Sequence, residues 1–139
     1  MQDVTQFLSH RSFRPQQPTV LFVSGWMMSP DAETSQLIIK AYLKRGDYNV
    51  LVLDWSDYSV GAYPTVMIRI SKISRIFGKA VSKLFDKGLN IKSFHCVGHS
   101  FGAHSCGIMG RELYQVSNRK YKFGRFASLS NNGFGFDNG

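Results

Sequence analysis

The five residues Gly98-His99-Ser100-Phe101-Gly102 restrict what this chain can fold into more than any others, because of what flanks them. Ser93 to Val97, just upstream, is a short apolar run of strand length, and Phe101 to Gln115, just downstream, has small and apolar residues at helical spacing. A strand that passes directly into a helix turns so sharply that the residues two before and two after the turning point have no room for side chains. Gly98 and Gly102 meet that demand. Ser100 is then expected to take strained dihedrals that hold its Oγ clear of the sheet. A glycine-rich turn without chemistry has the same local sequence, so the weight of the signal lies in the strand before it and the helix after it.

The rest of the chain supplies matching elements. Thr19 to Ser24 and Asn49 to Asp54 are apolar on successive positions, as strands buried on two faces are. Between them Asp31 to Arg45 reads as a helix, with Ser29-Pro30-Asp31 as its start and Gly46 as its stop. A second helix is expected from about Thr65 to Phe85 and a fourth strand from Lys122 to Leu129. Alternation of this kind calls for an α/β fold, a mostly parallel sheet with helices on both faces. With 139 residues, 43% of them apolar, one domain is expected over 1–139, with an N-terminal arm at 1–17 and a loose C-terminal end at 130–139. No apolar stretch approaches the roughly 20 residues of a membrane span. No secretory signal is visible at Met1-Gln2-Asp3-Val4.

The chemistry implied by Ser100 is nucleophilic. The N–H of Phe101, at the start of a helix, faces a developing oxyanion and is reinforced by the helix dipole. A second donor is needed from the loop after an earlier strand, and the backbone N–H of Trp26, after Gly25, is the expected supplier. Phe22 to Trp26, Tyr48 to Ser56 and Val97 to His104, with Gly107 and Gly110 beyond, resemble in order and spacing the animal lipase family. That family includes pancreatic lipase, insect triacylglycerol lipases, venom phospholipases A1 and insect yolk proteins. The likeness runs from about Thr19 to Phe136. It implies an α/β-hydrolase fold, here in a roughly half-length version, and hydrolysis of carboxylic esters of glycerolipids. It also implies Ser100 as nucleophile, Trp26 and Phe101 at the oxyanion hole, an extracellular location, and no cofactor or metal.

Two departures qualify that likeness. Ser24 stands where the family has histidine before its Gly-aromatic pair. Where the family carries its triad acid in a Gly-Leu-Asp-Pro segment, this chain reads Gly124 to Asn132, with Ser130 in the acid position. A serine hydroxyl has no charge with which to orient a base or stabilise an imidazolium. Asp137 is a candidate displaced acid. After Ser100 the single histidine is His104, one helical turn on; His99 is locked in the turn, His95 reads as a strand residue, and His10 lies in the arm. Gly139 comes before the region in which the family carries its lid and catalytic histidine. Without a base a serine is a weak nucleophile.

Cys96 and Cys106 are too few for a disulfide scaffold and read as two buried small hydrophobes. Asp54-Trp55-Ser56, after the second strand, reads as a loop cap with a packed tryptophan, and Met27 and Met28 as packing or acyl-pocket residues. The net charge of +8 favours an anionic partner. Arg69, Lys72, Arg75, Lys79 and Lys83 recur every three or four positions opposite Ile70, Ile73, Phe77, Ala80 and Leu84, an amphipathic helix with a basic stripe suited to solvent or to an anionic lipid surface. No nucleic-acid motif accompanies the charge, so no nucleic acid is expected. Three functions remain: a lipase or phospholipase A1 acting through Ser100, a catalytically inactive lipase homologue that binds lipid or another ligand, and a nonfunctional fragment. Sheet edges and helix faces left uncovered are expected to make the isolated chain self-associate.

Overall fold

The computed structural model describes residues 4–25, 29–123, 125–130 and 133–137. The elements are β1 (Thr19–Val23), α1 (Glu33–Arg45), β2 (Asn49–Leu53), α2 (Tyr63–Asp86), β3 (Phe94–His99), α3 (Phe101–Val116), β4 (Arg125–Ser130) and β5 (Gly133–Asp137). They build one sheet in the order β2-β1-β3-β4-β5. The first four strands are parallel and β5 is antiparallel to β4. This is the α/β architecture expected from the pattern, a partial α/β-hydrolase fold with β3 at its centre.

Both faces of the sheet are covered, which is why β1 is apolar without alternation. Leu21 and Val23 face one layer with Phe94 and Cys96, against α2 and α3. Val20, Phe22 and Val97 face the other, against Ile38, Ile39 and Tyr42 of α1. β1 is buried along its whole length, whereas β2, at the edge, leaves Val52 exposed. Aromatic side chains close the end of the sheet at which β3 begins: Phe94 meets Phe85 edge-on and Phe123 stacked. Tyr121 packs on Phe85 and donates its hydroxyl to Asp86 at 2.8 Å. The opposite end, where the parallel strands finish, is where ligands bind to open α/β sheets.

Several boundaries differ from the sequence reading, each for a local reason. α2 starts at Tyr63 rather than Thr65, because Pro64 sits in the first turn, where no N–H is needed. β3 runs on to His99 because its pairing with β4 continues to Leu129. Gly133–Asp137 pairs with β4 instead of trailing as a loose end. The N-terminal arm is pinned where β2 begins: Asn49 accepts the Arg14 N–H at 2.9 Å and donates to the Arg14 carbonyl at 2.8 Å.

The inward side of α2 is also smaller than its hydrophobic pattern suggests. Ser74 and Gly78 lie on the seam with α3, and the Ser74 hydroxyl lies 2.6 Å from that of Ser105, both fully buried. A methyl on Gly78 would come within 2.8 Å of the Glu112 Cβ and 2.9 Å of the Met109 carbonyl oxygen. Small side chains therefore let the two helices approach closely. Gly78→Val is expected to destabilise the chain by about 1–3 kcal/mol through overpacking, read as a lower midpoint of urea unfolding; an unchanged midpoint would contradict the tight seam.

Candidate functional site

Ser100 is the one residue between β3 and α3 and has φ 56° and ψ −113°. Positive φ in a non-glycine residue costs conformational energy and survives where the surroundings dictate it. Here the dictate is steric. A methyl on Gly98 would overlap the backbone of Gly102 and Ala103, and one on Gly102 would overlap the Val23 carbonyl. The first turn of α3 thus lies directly on the ends of β1 and β3, and the chain has one way to pass between them. The Ser100 carbonyl accepts the Ala103 N–H at 3.0 Å, and the Ser100 side chain, left exposed, makes no capping hydrogen bond. The Phe101 N–H opens α3 at the positive end of its dipole.

The loop after β1 runs beside this turn. A methyl on Gly25 would sit 2.8 Å from the His99 carbonyl oxygen and 3.3 Å from the Ser100 Cβ. Trp55, buried after β2, donates its indole N–H to the Ser24 carbonyl at 2.8 Å and so holds the stem of that loop. The packed tryptophan was legible; its bond to Ser24 was not. Trp26, Met27 and Met28, placed in this loop by the sequence, lie outside the described residues. Ser24 Oγ and His99 Nδ1 are buried and have no hydrogen-bond partner among the described residues.

The other expected site residues divide by position. His99 pairs in register with Leu129, which brings Ser130 level with Ser100 at the end of the neighbouring strand. Asp137 is different. It pairs with Phe126, which pairs with Cys96, so it lies two strands from β3 and about 13 Å back along the sheet from the Ser100 level. The hairpin register sets the Asp137 backbone away from the level of the serine. Asp54 is exposed and accepts the N–H and hydroxyl of Ser56 at 3.1 and 2.6 Å, a local cap.

No histidine among the described residues is brought to Ser100 as a base. His104 is exposed on α3, and His95 lies under the α1 layer with its ring 6.2 Å from that of Tyr48. His10 lines a cavity with Phe13, Leu43, Tyr48 and Asn49, where β2 begins, at the opposite end of the sheet from Ser100.

Two features went unread in the sequence. Cys96 and Cys106 are not separate thiols but a disulfide joining β3 to α3, with Cα atoms 5.9 Å apart. Tyr63, at the start of α2, rests its ring 5.0 Å from that of Phe101 while remaining 55% exposed. With Tyr58 and Val60, also exposed, it places apolar surface on the approach to α2. The basic stripe is as expected: Arg69, Lys72, Arg75, Lys79 and Lys83 are all exposed, interleaved with exposed Ile68 and Ile76. No helix among the described residues is long and apolar enough to cross a membrane.

The chain is similar to proteins of one family. The profile of the family described as Lipase matches residues 1–138. Phospholipase A1 member A of Rattus norvegicus is 36% identical over 72 residues, 52% of this chain and 16% of that protein. Lipase member H of Danio rerio is 30% identical over 114 residues, 76% of this chain and 25% of its own. Lipoprotein lipase of Bos taurus is 25% identical over 119 residues, 84% and 25% respectively. The chain thus spans a quarter or less of these relatives' lengths.

The interlock at the turn separates two glycines of the same helix. Gly102→Ala is expected to cost about 3 kcal/mol or more by driving a methyl into β1. Gly107→Ala, with nothing within 4 Å of the added methyl, is expected to stabilise by about 0.5–1 kcal/mol. Urea unfolding of both variants checks the contrast, and equal midpoints would contradict it.

Proposed function

The chain belongs to the lipase family, and from that premise we propose that it carries the nucleophile half of a carboxylic ester hydrolase site acting on glycerolipids. Ser100 is the nucleophile, with the backbone N–H groups of Phe101 and Trp26 as oxyanion donors. The observation that carries the reading is the exposed serine at φ 56°, held at the end of the central parallel strand against the first turn of α3. The relatives, a phospholipase A1 and a lipoprotein lipase by name, support a lipid ester as substrate. Attack by Ser100 Oγ on an ester carbonyl places negative charge on the carbonyl oxygen, and an N–H at the start of α3 stabilises that charge. Tyr63, Tyr58 and Val60 are the surface for an acyl chain. The disulfide favours an oxidising, extracellular setting.

A second reading is a lipase homologue that binds lipid without turnover. It is favoured by Ser130 in the acid register and by the absence, among the described residues, of a histidine hydrogen-bonded to Ser100: His99, its neighbour in the chain, has a buried Nδ1 with no partner. A fluorophosphonate probe separates the two, since it reacts with serines that are activated. Covalent labelling of the chain and none of Ser100→Ala is expected. Lipid binding with equally absent labelling of both would overturn the hydrolase reading in favour of the carrier.

The partner surface is proposed to be an anionic lipid membrane docking on α2. Ile68, Arg69, Lys72, Arg75, Ile76, Lys79 and Lys83 fall within roughly a third of the helix circumference at 3.6 residues per turn, so they share one face, roughly 22 Å long. The Lys79 ammonium lies 3.9 Å from Glu112, and Arg69 donates to the Val60 carbonyl at 3.0 Å, which ties the stripe to the apolar loop leading to Tyr63. Each basic residue near an anionic surface contributes about 1 kcal/mol. Reversing Lys72, Arg75 and Lys83 to Glu is therefore expected to weaken partitioning onto phosphatidylserine vesicles roughly hundredfold or more at low salt. Equal sedimentation with purely phosphatidylcholine vesicles, or with the reversed variant, would contradict the docking.

A further inference from the structure

The polypeptide carrying Ser100 is cross-linked to itself on both sides of the serine. Cys96 lies on β3 and Cys106 on α3, ten residues apart in sequence and both fully buried between the sheet and its helical layer. Such a bridge closes a short loop between elements that already touch, so it constrains the unfolded chain less than a long-range cross-link would. What it constrains more is local. The first turn of α3 is fixed from the β1 side by the contacts of Gly102 with Val23 and of Gly25 with Ser100. Farther along, α3 is held by α2 through Ser105 on Ser74 and through Glu112 on Gly78. At Cys106, next to Ser105, the bridge ties the helix to the strand that delivers the serine. A positive φ in a non-glycine residue persists where several constraints act together.

We propose that the Cys96–Cys106 disulfide is a positioning clamp for Ser100, one that keeps the start of α3 seated on β3 so that the serine hydroxyl and the Phe101 N–H hold their mutual geometry. The proposal rests on the reading of Ser100 as nucleophile. Opened, the clamp lets the first turn of α3 rise from the strand and the strained serine relax, while the sheet and the α2–α3 seam remain. The opening step is thiol–disulfide exchange: a dithiol such as dithiothreitol attacks one sulfur, the S–S bond breaks, and both cysteines end as thiols while the reagent leaves as its cyclic disulfide.

The test compares the oxidised chain, the chain reduced with dithiothreitol, and Cys96→Ala/Cys106→Ala. Two readouts are used: the rate of fluorophosphonate labelling at Ser100, and amide hydrogen exchange at Ala103 to Gly107, where the hydrogen bonds of α3 begin, set against that of α2. With far-UV circular dichroism retained, labelling is expected to slow about ten- to a hundredfold, exchange to rise at the start of α3 alone, and reoxidation to restore both. Unchanged exchange and labelling in a reduced, folded chain would overturn the clamp. So would a general rise in exchange, or loss of the circular dichroism signal, since the bridge would then hold the whole fold and not the turn. An oxidised chain that is not labelled at all would sink the nucleophile reading by itself, and the clamp would still be decided by the exchange at Ala103 to Gly107.

Discussion

The contact between the first turn of α3 and the ends of β1 and β3 is the constraint on which the rest depends. Backbone lies on backbone there: Gly102 rests against the Val23 carbonyl and Gly98 against Gly102 and Ala103. At that separation the helix has no slack, and the residue joining strand to helix must accept a left-handed backbone. Ser100 is that residue. The same closeness brings Gly25 beside it, and the buried indole of Trp55 holds the preceding carbonyl. A hydroxyl, a helix start and a second loop are thereby collected at one point without any of them being directed there by its own side-chain interactions.

Much of the fold was legible because its elements have simple reasons to exist. β1 is buried on both faces and reads as unbroken apolar sequence. The turn was legible because glycine at two spaced positions has a steric meaning. What sequence could not supply was the relative placement of elements. Cys96 and Cys106 belong to a strand and a helix of different periodicity, and their pairing follows from how closely α3 lies on β3. The hairpin register that sets Asp137 opposite Phe126 is likewise a matter of placement. The α2–α3 seam is not legible for a similar reason: Ser74 and Gly78 carry little hydrophobic signal, yet they decide how near the helices come. β5 has glycine at alternate positions, a composition that reads as loose chain until β4 offers it a partner.

The two faces of the molecule suit different tasks. The end of the sheet at which the parallel strands finish presents Ser100, with Tyr63 resting on Phe101 beside it. The side formed by α2 presents cations and two exposed isoleucines. A lipid surface that engaged the second would lie near the start of α2, and so near the serine. Electrostatics act at a distance at the α2 surface, and backbone strain acts on a single residue at the serine.

An experimental structure of the phosphonylated chain tests the central claim most directly. The account predicts Ser100 Oγ covalently bound to phosphorus, φ at Ser100 still near 56°, and a phosphoryl oxygen within hydrogen-bond distance of the Phe101 N–H. A serine in ordinary helical dihedrals, with its side chain turned into the core or the phosphoryl oxygen directed away from α3, would contradict it.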